Sequence, residues 1–505
     1  MKAKSIFLLA IVFFTPFFIA CDDDDNGRKA TEIKNSTVNE WIYEDMNLYY
    51  YWRDKMPAKR FVDFTVNPYD FFDNLLYPFN STTYDGDRFS WIQSSYVDLM
   101  NALSGVSSNE IGFDYIPKLL TQEGSNVIFI VTYIKKGTKA ESSGLKRGDV
   151  INKVDGIVLN TKNWSELLYK NKSSYKLEGL NFSGSITIEP TAKYNENPIY
   201  LEKVFTEGSK KIGYVIYNQF IMDNGDDSYI YDKQLADIFT KYNAENVTYL
   251  VLDLRYNLGG YTSCATNLAS ALIPNRDTQK KFNYKEFNNV LNDYVKKEFS
   301  DQEYDLFINE YFEDNIKKTD DKGKVTNMGS IPNYGNKITK LYVLVGENTA
   351  SSSELVINGL RPFMKDKIFL IGETTSGKNV GSFTLTDENN KNNKWGMQPI
   401  VFKSFNEDKQ SDYAAGFTPG DQIQGTKIYE FSNILADGLK PLGDKDEPLL
   451  AYAISDATGK SKSTFTKRLQ TPPSLGKLLR PESDYRMVQK NFLIKKLMIK
   501  RALAY

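Results

Sequence analysis

Three apolar runs constrain the fold of this 505-residue chain more than any other feature. Each has the length of a buried strand, and they cover residues 247–254, 341–345 and 368–371. Helical sequence is expected over residues 229–242 and again from residue 354. Strands separated by helices are typical of an α/β domain with crossover connections. The sequence therefore predicts a mixed α/β core built on these runs.

Residues that can carry chemistry follow each run. The pair Gly259-Gly260 follows the first, and without side chains it lets backbone N–H groups approach a bound molecule closely. Ser351 follows the second run, in a turn at the expected start of a helix. There a hydroxyl projects from a fixed position, and the first helical N–H groups face any oxyanion formed beside it. The loop after the third run ends at Lys378, and this loop can bring the lysine close to Ser351.

The absence of histidine limits how a nucleophile can be activated. A Ser-His-Asp triad, a His-Cys pair and a His-ligated zinc site are excluded, so a lysine or a carboxylate must act instead. A lysine serves as general base only if burial or nearby positive charge brings its pKa well below ~10.4. Apolar strands on both sides of the Lys378 loop predict such a dry setting. The charge is balanced, with 63 basic and 64 acidic residues, so nothing indicates a nucleic-acid partner.

The N-terminal sequence predicts export and a lipid anchor. A basic start and an apolar stretch make residues 1–20 a signal peptide, because the stretch is too short for a comfortable membrane span. The sequence FIAC resembles a bacterial lipobox that ends at the lipidated Cys21, and an ordinary secretory signal is the alternative. Residues 21–36 are predicted to be a tether. Its acidic run resembles the surface-export tag of Bacteroidetes lipoproteins, and a solvated spacer is the alternative. Cys264 is then left single, so no disulfide framework is expected.

The remaining chain divides into four predicted parts. These are a helical domain at 37–105, a β-rich module at 106–197, a catalytic domain at 198–457 and an extension at 458–505. The aromatic residues of the helical domain are expected to be core packing. The extension is predicted to end in a basic amphipathic helix over 485–505. Docking on the body, contact with a membrane surface and oligomerisation all remain open for this helix, with docking as the default.

The β-rich module resembles a PDZ domain of the permuted bacterial type. The resemblance rests on the pattern A-x-x-x-G-L-x-x-G-D-x-I, which begins at Ala140. It implies that a strand at Ile111, Gly112 and Phe113 holds an extended peptide by strand addition and seats its terminal carboxylate on backbone N–H groups. A PDZ-shaped spacer that binds no ligand is the alternative.

Three motifs in order are similar to those of the C-terminal processing peptidases, PDZ-carrying serine proteases with a Ser-Lys dyad. The motifs are D-L-R-x-N-x-G-G at 253–260, T-A-S-S-S-E at 349–354 and G-E-x-x-x-G-K at 372–378. The resemblance implies an α/β protease core of the crotonase-like or ClpP-like type, with no metal or cofactor. It assigns the nucleophile to Ser351, the general base to Lys378, and the oxyanion hole to backbone N–H groups of Gly259 or Gly260 and of Ser352. Where the family often has a lysine-orienting glutamine, this chain has Ser382, and Ser382 or Gln398 could take that role.

Two other interpretations compete for the same residues. G-x-x-x-x-G-K at 372–378 fits the start of a phosphate-binding loop, but that loop needs Ser or Thr next and then a helix, whereas Asn379 and strand-like sequence follow. A second alternative is an inactive, PDZ-containing lipoprotein that captures peptides without cutting them. The favoured prediction is a cell-envelope endopeptidase of the outer membrane, periplasmic or surface-exposed, that acts on unfolded or C-terminally exposed polypeptides. The oligomeric state stays open.

Overall fold

A computed structural model describes residues 33–103, 105–168, 172–320, 322–460, 470–481, 484–489 and 492–502. The predicted signal peptide, Cys21 and most of the predicted tether lie outside the described residues. Across these ranges, no helix combines the length and the apolar character needed to cross a membrane. The described residues form a mixed α/β structure, as predicted.

The N-terminal part is helical and packs directly on the core. Its elements are α1 (Asn35–Tyr49), α2 (Pro68–Leu75), β1 (Trp91–Gln93) and α3 (Tyr96–Leu103), with 3-10 turns at Arg53–Lys55 and Lys59–Phe61. Helix α1 buries one face because Val38, Ile42 and Met46 recur at helical spacing. Strand β1 pairs antiparallel with residues 396–398 of the core. Tyr49 is buried in the main core and Trp41 packs against it, so this aromatic stripe serves packing, as expected, and β1 joins the part to a sheet of the core.

The β-rich module follows. Its elements are β2 (Val106–Glu110), β3 (Phe113–Leu119), β4 (Val127–Ile134), a 3-10 turn (Lys139–Ser142), β5 (Val150–Val154), β6 (Ile157–Val158), α4 (Trp164–Leu167), β7 (Tyr175–Gly179), β8 (Ile186–Ile188) and β9 (Thr191–Asn195). The main sheet has the order β3-β4-β5-β7-β8, so β3 is an edge strand. The predicted strand at residues 111–113 is wrong for two of its three residues. Gly112, with a φ of 89°, makes the turn between β2 and β3, and only Phe113 lies in a strand.

The catalytic part contains a parallel sheet in which the three apolar runs are adjacent. The elements up to the second run are β10 (Ile199–Glu207), β11 (Lys210–Tyr217), α5 (Ile230–Ala244), β12 (Tyr249–Asp253), β13 (Gly259–Tyr261), α6 (Thr262–Leu272), β14 (Lys281–Phe287), α7 (Asn289–Glu298), α8 (Asp301–Ile308), β15 (Asn309–Tyr311), β16 (Asn315–Thr319), β17 (Val325–Ser330), a 3-10 turn (Tyr334–Asn336) and β18 (Lys340–Val345). The runs predicted at 247–254 and 341–345 are β12 and β18, which pair in parallel.

The chain continues with α9 (Ser352–Met364), β19 (Ile368–Gly372), β20 (Val380–Ser382), β21 (Leu385–Thr386), β22 (Gly396–Gln398), β23 (Ile400–Phe405), β24 (Gly425–Lys427), α10 (Ile434–Asp437) and α11 (Pro448–Thr458). The parallel sheet has the order β10-β11-β12-β18-β19-β24, and only the β10–β11 pair is antiparallel. Helices α5, α6 and α9 contribute to the core on one face and α11 to the core on the other. The carboxyl ends of β12, β18 and β19 therefore meet at one edge, where ligands bind in such sheets.

The C-terminal extension differs from its prediction. Arg486–Val488 is a strand, β25, and the helix α12 covers only Phe492–Ala502. Strand β25 belongs to a second sheet with the order β13-β25-β20-β23-β14-β15. Helix α12 docks on the body, since Leu493 and Leu497 are buried in the main core. The predicted helix over 485–505 is therefore wrong in its first turns, which add a strand to the core instead.

A buried charge network fixes the loop that follows β12. The guanidinium of Arg255 donates to Asp253 at 2.9 Å, to Glu447 at 2.7 Å and to Glu430 at 2.8 Å. Arg147, from the β-rich module, also donates to Glu430. An arginine is suited to this position because its planar fork can serve several carboxylates at once. The network ties β12, the start of α11 and the module together beneath the Gly259-Gly260 turn.

Acid is expected to weaken this network. Burial raises the pKa of Glu430, but Arg255 and Arg147 outweigh that effect and lower the pKa to about 2, from an ordinary value of 4.5. The ionised carboxylate therefore contributes stability above pH 4.5 that is lost as the pH falls towards 2, at most ~1.4 kcal/mol per pH unit. In urea unfolding from pH 2.5 to pH 7, Glu430→Gln should flatten this dependence, whereas Glu388→Gln on the exposed surface should not. An unchanged acid slope in Glu430→Gln would contradict the prediction.

Candidate active site

Ser351 stands between β18 and α9 in a strained turn. It is the residue before the first helical turn, and its backbone has a φ of 62° and a ψ of −114°. A non-glycine residue in this region costs free energy, and such strain often marks a functional position. Its side chain is fully buried, and its Oγ makes no hydrogen bond with any described residue. The predicted nucleophile is thus a buried hydroxyl whose position is set by the strained backbone of this turn.

Lys378 lies in an apolar setting close by. Its side chain is 2% exposed, and its Nζ lies 4.8 Å from the centre of the Phe89 ring. The same Nζ donates a hydrogen bond of 2.7 Å to the carbonyl oxygen of Tyr485 in the C-terminal segment. The dry environment predicted for this lysine is therefore present. Two of its neighbours, Phe89 and Tyr485, come from distant parts of the chain.

Glu354 joins the serine loop to the lysine loop. Its Oε2 accepts from the backbone N–H groups of both Ser351 and Lys378, each at 2.8 Å. Its Oε1 accepts from the Gly377 N–H at 2.7 Å and from the Thr375 hydroxyl at 2.5 Å. Burial raises the pKa of Glu354, while these four hydrogen bonds favour its ionised form. Because two N–H groups meet at one oxygen, the backbones of Ser351 and Lys378 lie less than two hydrogen-bond lengths apart.

The Gly-Gly turn lies against the serine loop. The Ser352 hydroxyl donates to the Gly260 carbonyl at 2.8 Å. Gly260 has a φ of 145°, and an added Cβ would lie 2.1 Å from the Phe220 carbonyl oxygen, so only glycine fits. The Gly259 N–H donates to the Asn257 side chain at 2.8 Å and is thus already engaged. Gly260 lies in β13 and pairs with Met487 of β25, so the assignment of Gly259, Gly260 and Ser352 as oxyanion donors stays a prediction. The N–H of Ser352, the first residue of α9, has no partner within the helix.

The two candidates for orienting the lysine have different surroundings. Ser382 is buried on β20, and its hydroxyl donates to the Met487 carbonyl at 3.4 Å. Gln398 is also buried, but neither polar atom of its amide has a hydrogen-bond partner among the described residues. The Gln398 amide therefore makes no hydrogen bond with Lys378, and a role for Gln398 stays a prediction. A role for Ser382 stays a prediction.

Sequence reasoning missed residues that complete the site. Arg88 donates to the Ser376 carbonyl at 3.1 Å, which holds the lysine loop from the N-terminal part. Phe89 and Tyr485 belong to one buried apolar cluster beside Ala350. No motif carries these residues, because they come from a loop before β1 and from the C-terminal extension. Only the aromatic character of the two segments signalled that they are buried.

A cavity lies in the β-rich module. It has a volume of about 280 Å³ and is lined by Ile111, Phe113 and Trp164 of the module and by Arg480, Pro481 and Asp484 of the C-terminal extension. Two of the three residues predicted to bind peptide thus line one cavity. The nucleotide-binding alternative fails, because β20 follows Lys378 where a phosphate-binding loop requires a helix.

Comparisons with known proteins identify the family of this chain. The model of "Peptidase family S41" matches residues 211–421, and that of "Peptidase S41 N-terminal domain" matches residues 37–91. The "Probable CtpA-like serine protease" of Staphylococcus aureus (strain bovine RF122 / ET3-1) is 23% identical over 380 residues, 74% of this chain and 62% of the relative. The Staphylococcus haemolyticus (strain JCSC1435) protein of the same name is 22% identical over 384 residues, 75% of this chain and 67% of that protein.

A solved structure of an S41 protease from Bacteroides fragilis NCTC 9343 shares the fold. Its TM-score is 0.60 at 24% identity, and the match covers 84% of this chain and 98% of that chain. The chain spans less than two thirds of the length of the first of the relatives above. The two family models together match just over half of the chain. The chain belongs to peptidase family S41, which confirms the predicted membership in a family of serine-type peptidases.

Proposed function

We propose that this chain hydrolyses peptide bonds in unfolded or C-terminally exposed polypeptides. Ser351 is the nucleophile and Lys378 is the general base. The observation that carries the proposal is the Glu354 carboxylate, which holds the backbones of both residues on one oxygen. A buried serine and a buried lysine whose backbone N–H groups share one carboxylate oxygen support Ser-Lys catalysis.

The chemistry follows from these positions. The Ser351 Oγ attacks the carbonyl carbon of the substrate, and Lys378 Nζ takes the hydroxyl proton and passes it to the departing amine. The backbone N–H groups of Gly260 and Ser352 hold the negative oxygen of the tetrahedral intermediate. Lys378 then takes a proton from water, which attacks the carbonyl carbon of the acyl-enzyme ester. The bond from that carbon to Ser351 Oγ breaks, Lys378 gives the proton to the departing Oγ, and the second product leaves as a carboxylic acid. In the structure, Lys378 Nζ donates to the Tyr485 carbonyl and makes no hydrogen bond with Ser351 Oγ, so it must move closer to Ser351 Oγ before it can take the proton.

The proposal also covers how substrate is delivered to the active site and where the protein is located in the cell. The β-rich module resembles a PDZ domain, and its cavity, lined by Ile111 and Phe113, supports a role in holding substrate. The sequence FIAC that ends at Cys21 supports a lipid anchor and a place in the cell envelope, at the outer membrane. Incorporation of a labelled fatty acid in the full chain, and its loss in Cys21→Ser, tests the anchor.

Digestion of an unfolded protein tests the activity. The chain from residue 22, which retains every described residue, is incubated with casein beside Ser351→Ala, and the products are identified by mass spectrometry. Wild type should release peptides and Ser351→Ala should release none. Ser353→Ala is the matched control, since the Ser353 hydroxyl donates to the Asn257 carbonyl at 3.1 Å and faces the scaffold, so cleavage should persist.

Two outcomes would contradict the proposal. Cleavage by Ser351→Ala at the wild-type rate would show that Ser351 is not the nucleophile. Casein retained in a pull-down but cut by no variant, including variants with a weakened C-terminal segment, would favour the peptide-binding lipoprotein instead.

A further inference from the structure

The C-terminal segment passes through both the β-rich module and the active site. We define it by its two described pieces, residues 475–481 and 484–489. The first piece lies beside β3 and the second includes β25. The segment therefore links, in one chain direction, the two places at which a peptide would be held.

The first piece adds to the free edge of β3. The Gly476 N–H donates to the Leu119 carbonyl at 2.9 Å, and the Leu119 N–H donates to the Lys477 carbonyl at 3.1 Å. The Leu479 N–H donates to the Pro117 carbonyl at 2.9 Å. The pairing is antiparallel. These contacts use only backbone atoms of the segment, which is how an edge strand binds an extended peptide.

The second piece fills the space between two strands of the site. Strand β25 pairs in parallel with β13, which carries the Gly-Gly turn, with Met487 opposite Gly260. On its other side Val488 pairs with Ser382 of β20, which follows Lys378. Without β25, the backbone edges of β13 and β20 would face each other across an open groove between the oxyanion donors and the lysine. An extended polypeptide placed there would lie next to Ser351.

One side chain of the segment occupies a pocket beside the nucleophile. Tyr485 is 4% exposed and belongs to the apolar cluster formed with Phe89, Ala350, Val380 and Ile400. Its ring centre lies 6.4 Å from that of Phe89. Ala350 is the residue before Ser351, so this pocket is next to the reacting hydroxyl. Its size and apolar walls suit a large aromatic side chain.

We infer that the C-terminal segment lies in the channel used by substrate, so that the chain binds its own tail as a pseudosubstrate. The inference rests on the proposed function, and it names the preferred ligand as an extended polypeptide with a large aromatic side chain in the Tyr485 pocket. The tail keeps Lys378 Nζ on the Tyr485 carbonyl and away from Ser351 Oγ. Because the tail is tethered, its effective concentration is high, in the millimolar range for short flexible linkers. Free substrate must compete with it.

Variants at Tyr485 test the inference in the chain from residue 22. Tyr485→Ala empties the pocket and should raise the initial rate of casein cleavage by about tenfold, which corresponds to ~1.4 kcal/mol of lost tail binding. Tyr485→Phe keeps the ring and should raise the rate less than Tyr485→Ala does. The synthetic peptide of residues 475–489, added to Tyr485→Ala, should restore inhibition. The same peptide with alanine at the tyrosine position should need about ten times the concentration.

A binding measurement separates this inference from the catalytic proposal. In the double variant Ser351→Ala/Tyr485→Ala, fluorescein-labelled peptide 475–489 should bind saturably by fluorescence polarisation and be displaced by the unlabelled peptide. Binding without cleavage by any variant would sink the catalytic proposal and leave the channel standing. If Tyr485→Ala keeps the wild-type rate, or if the peptide fails to bind the folded double variant, the segment is a fixed part of the sheet and the inference is overturned.

Discussion

Replacing Lys378 with methionine is expected to lower kcat/KM for an unfolded protein by ~10³-fold, the range of a lost general base. Methionine keeps the length and apolar stem of the lysine, which is almost fully buried, so the change removes the amine with little loss of packing. No histidine in the chain can replace it as a base. Initial rates with fluorescently labelled casein measure the effect.

A second substitution separates two roles of this lysine. Lys378→Arg retains the positive charge, but a guanidinium does not give up its proton near neutral pH and so cannot act as a base. The loss should therefore be as large as with methionine. Lys403→Met is the matched control, since Lys403 is half-buried on β23, and this variant should keep near wild-type activity.

The effects on activity of substituting residues that act as one unit are not additive. The double variant Ser351→Ala/Lys378→Met should therefore be no slower than Ser351→Ala alone. Substantial activity in Lys378→Arg would show that the lysine contributes charge and not proton transfer.

The parallel sheet and the main site residues could be predicted because short-range signals agree there. The runs at 247–254, 341–345 and 368–371 are apolar on both faces, as buried parallel strands must be. Gly260 and Ser351 both have positive φ angles and both lie shortly after a buried strand, so motif and geometry coincide. Strands of this kind end at one edge of the sheet, which brings distant motifs together without any further information.

The C-terminal strand could not be predicted, because long-range pairing decides its structure. Val488, Phe492 and Leu497 recur at helical spacing, and that pattern alone favours a single helix. A strand of three residues carries no periodicity of its own, and β25 is fixed by β13 and β20 on its two sides. Strand propensity depends on such context more than helix propensity does. Phe89 and Tyr485 were missed for the same reason, since their pocket exists only after the sheets assemble.

Glu354 is a single motif residue that holds the serine loop and the lysine loop together. The sequence placed it in the serine motif, three residues after the nucleophile. The structure adds that its carboxylate accepts four hydrogen bonds from the serine and lysine loops. Four donors around a buried carboxylate stabilise the site only while the carboxylate is present. Without it, each donor left unpaired costs the free energy of its desolvation.

Glu354→Gln is accordingly expected to lower both stability and activity. The amide has nearly the same shape, but its NH₂ group must face donors on one side, which leaves at least one pair of them unpaired at about 2–4 kcal/mol. The serine and lysine loops should then separate slightly, and a shift of ~1 Å can cost ~10²-fold in kcat. Urea unfolding and initial rates measure the two effects. Glu388→Gln on the exposed surface is the control and should change both quantities little. A variant that loses stability but keeps the wild-type kcat would show that Glu354 holds the fold without setting the distance between Ser351 and Lys378.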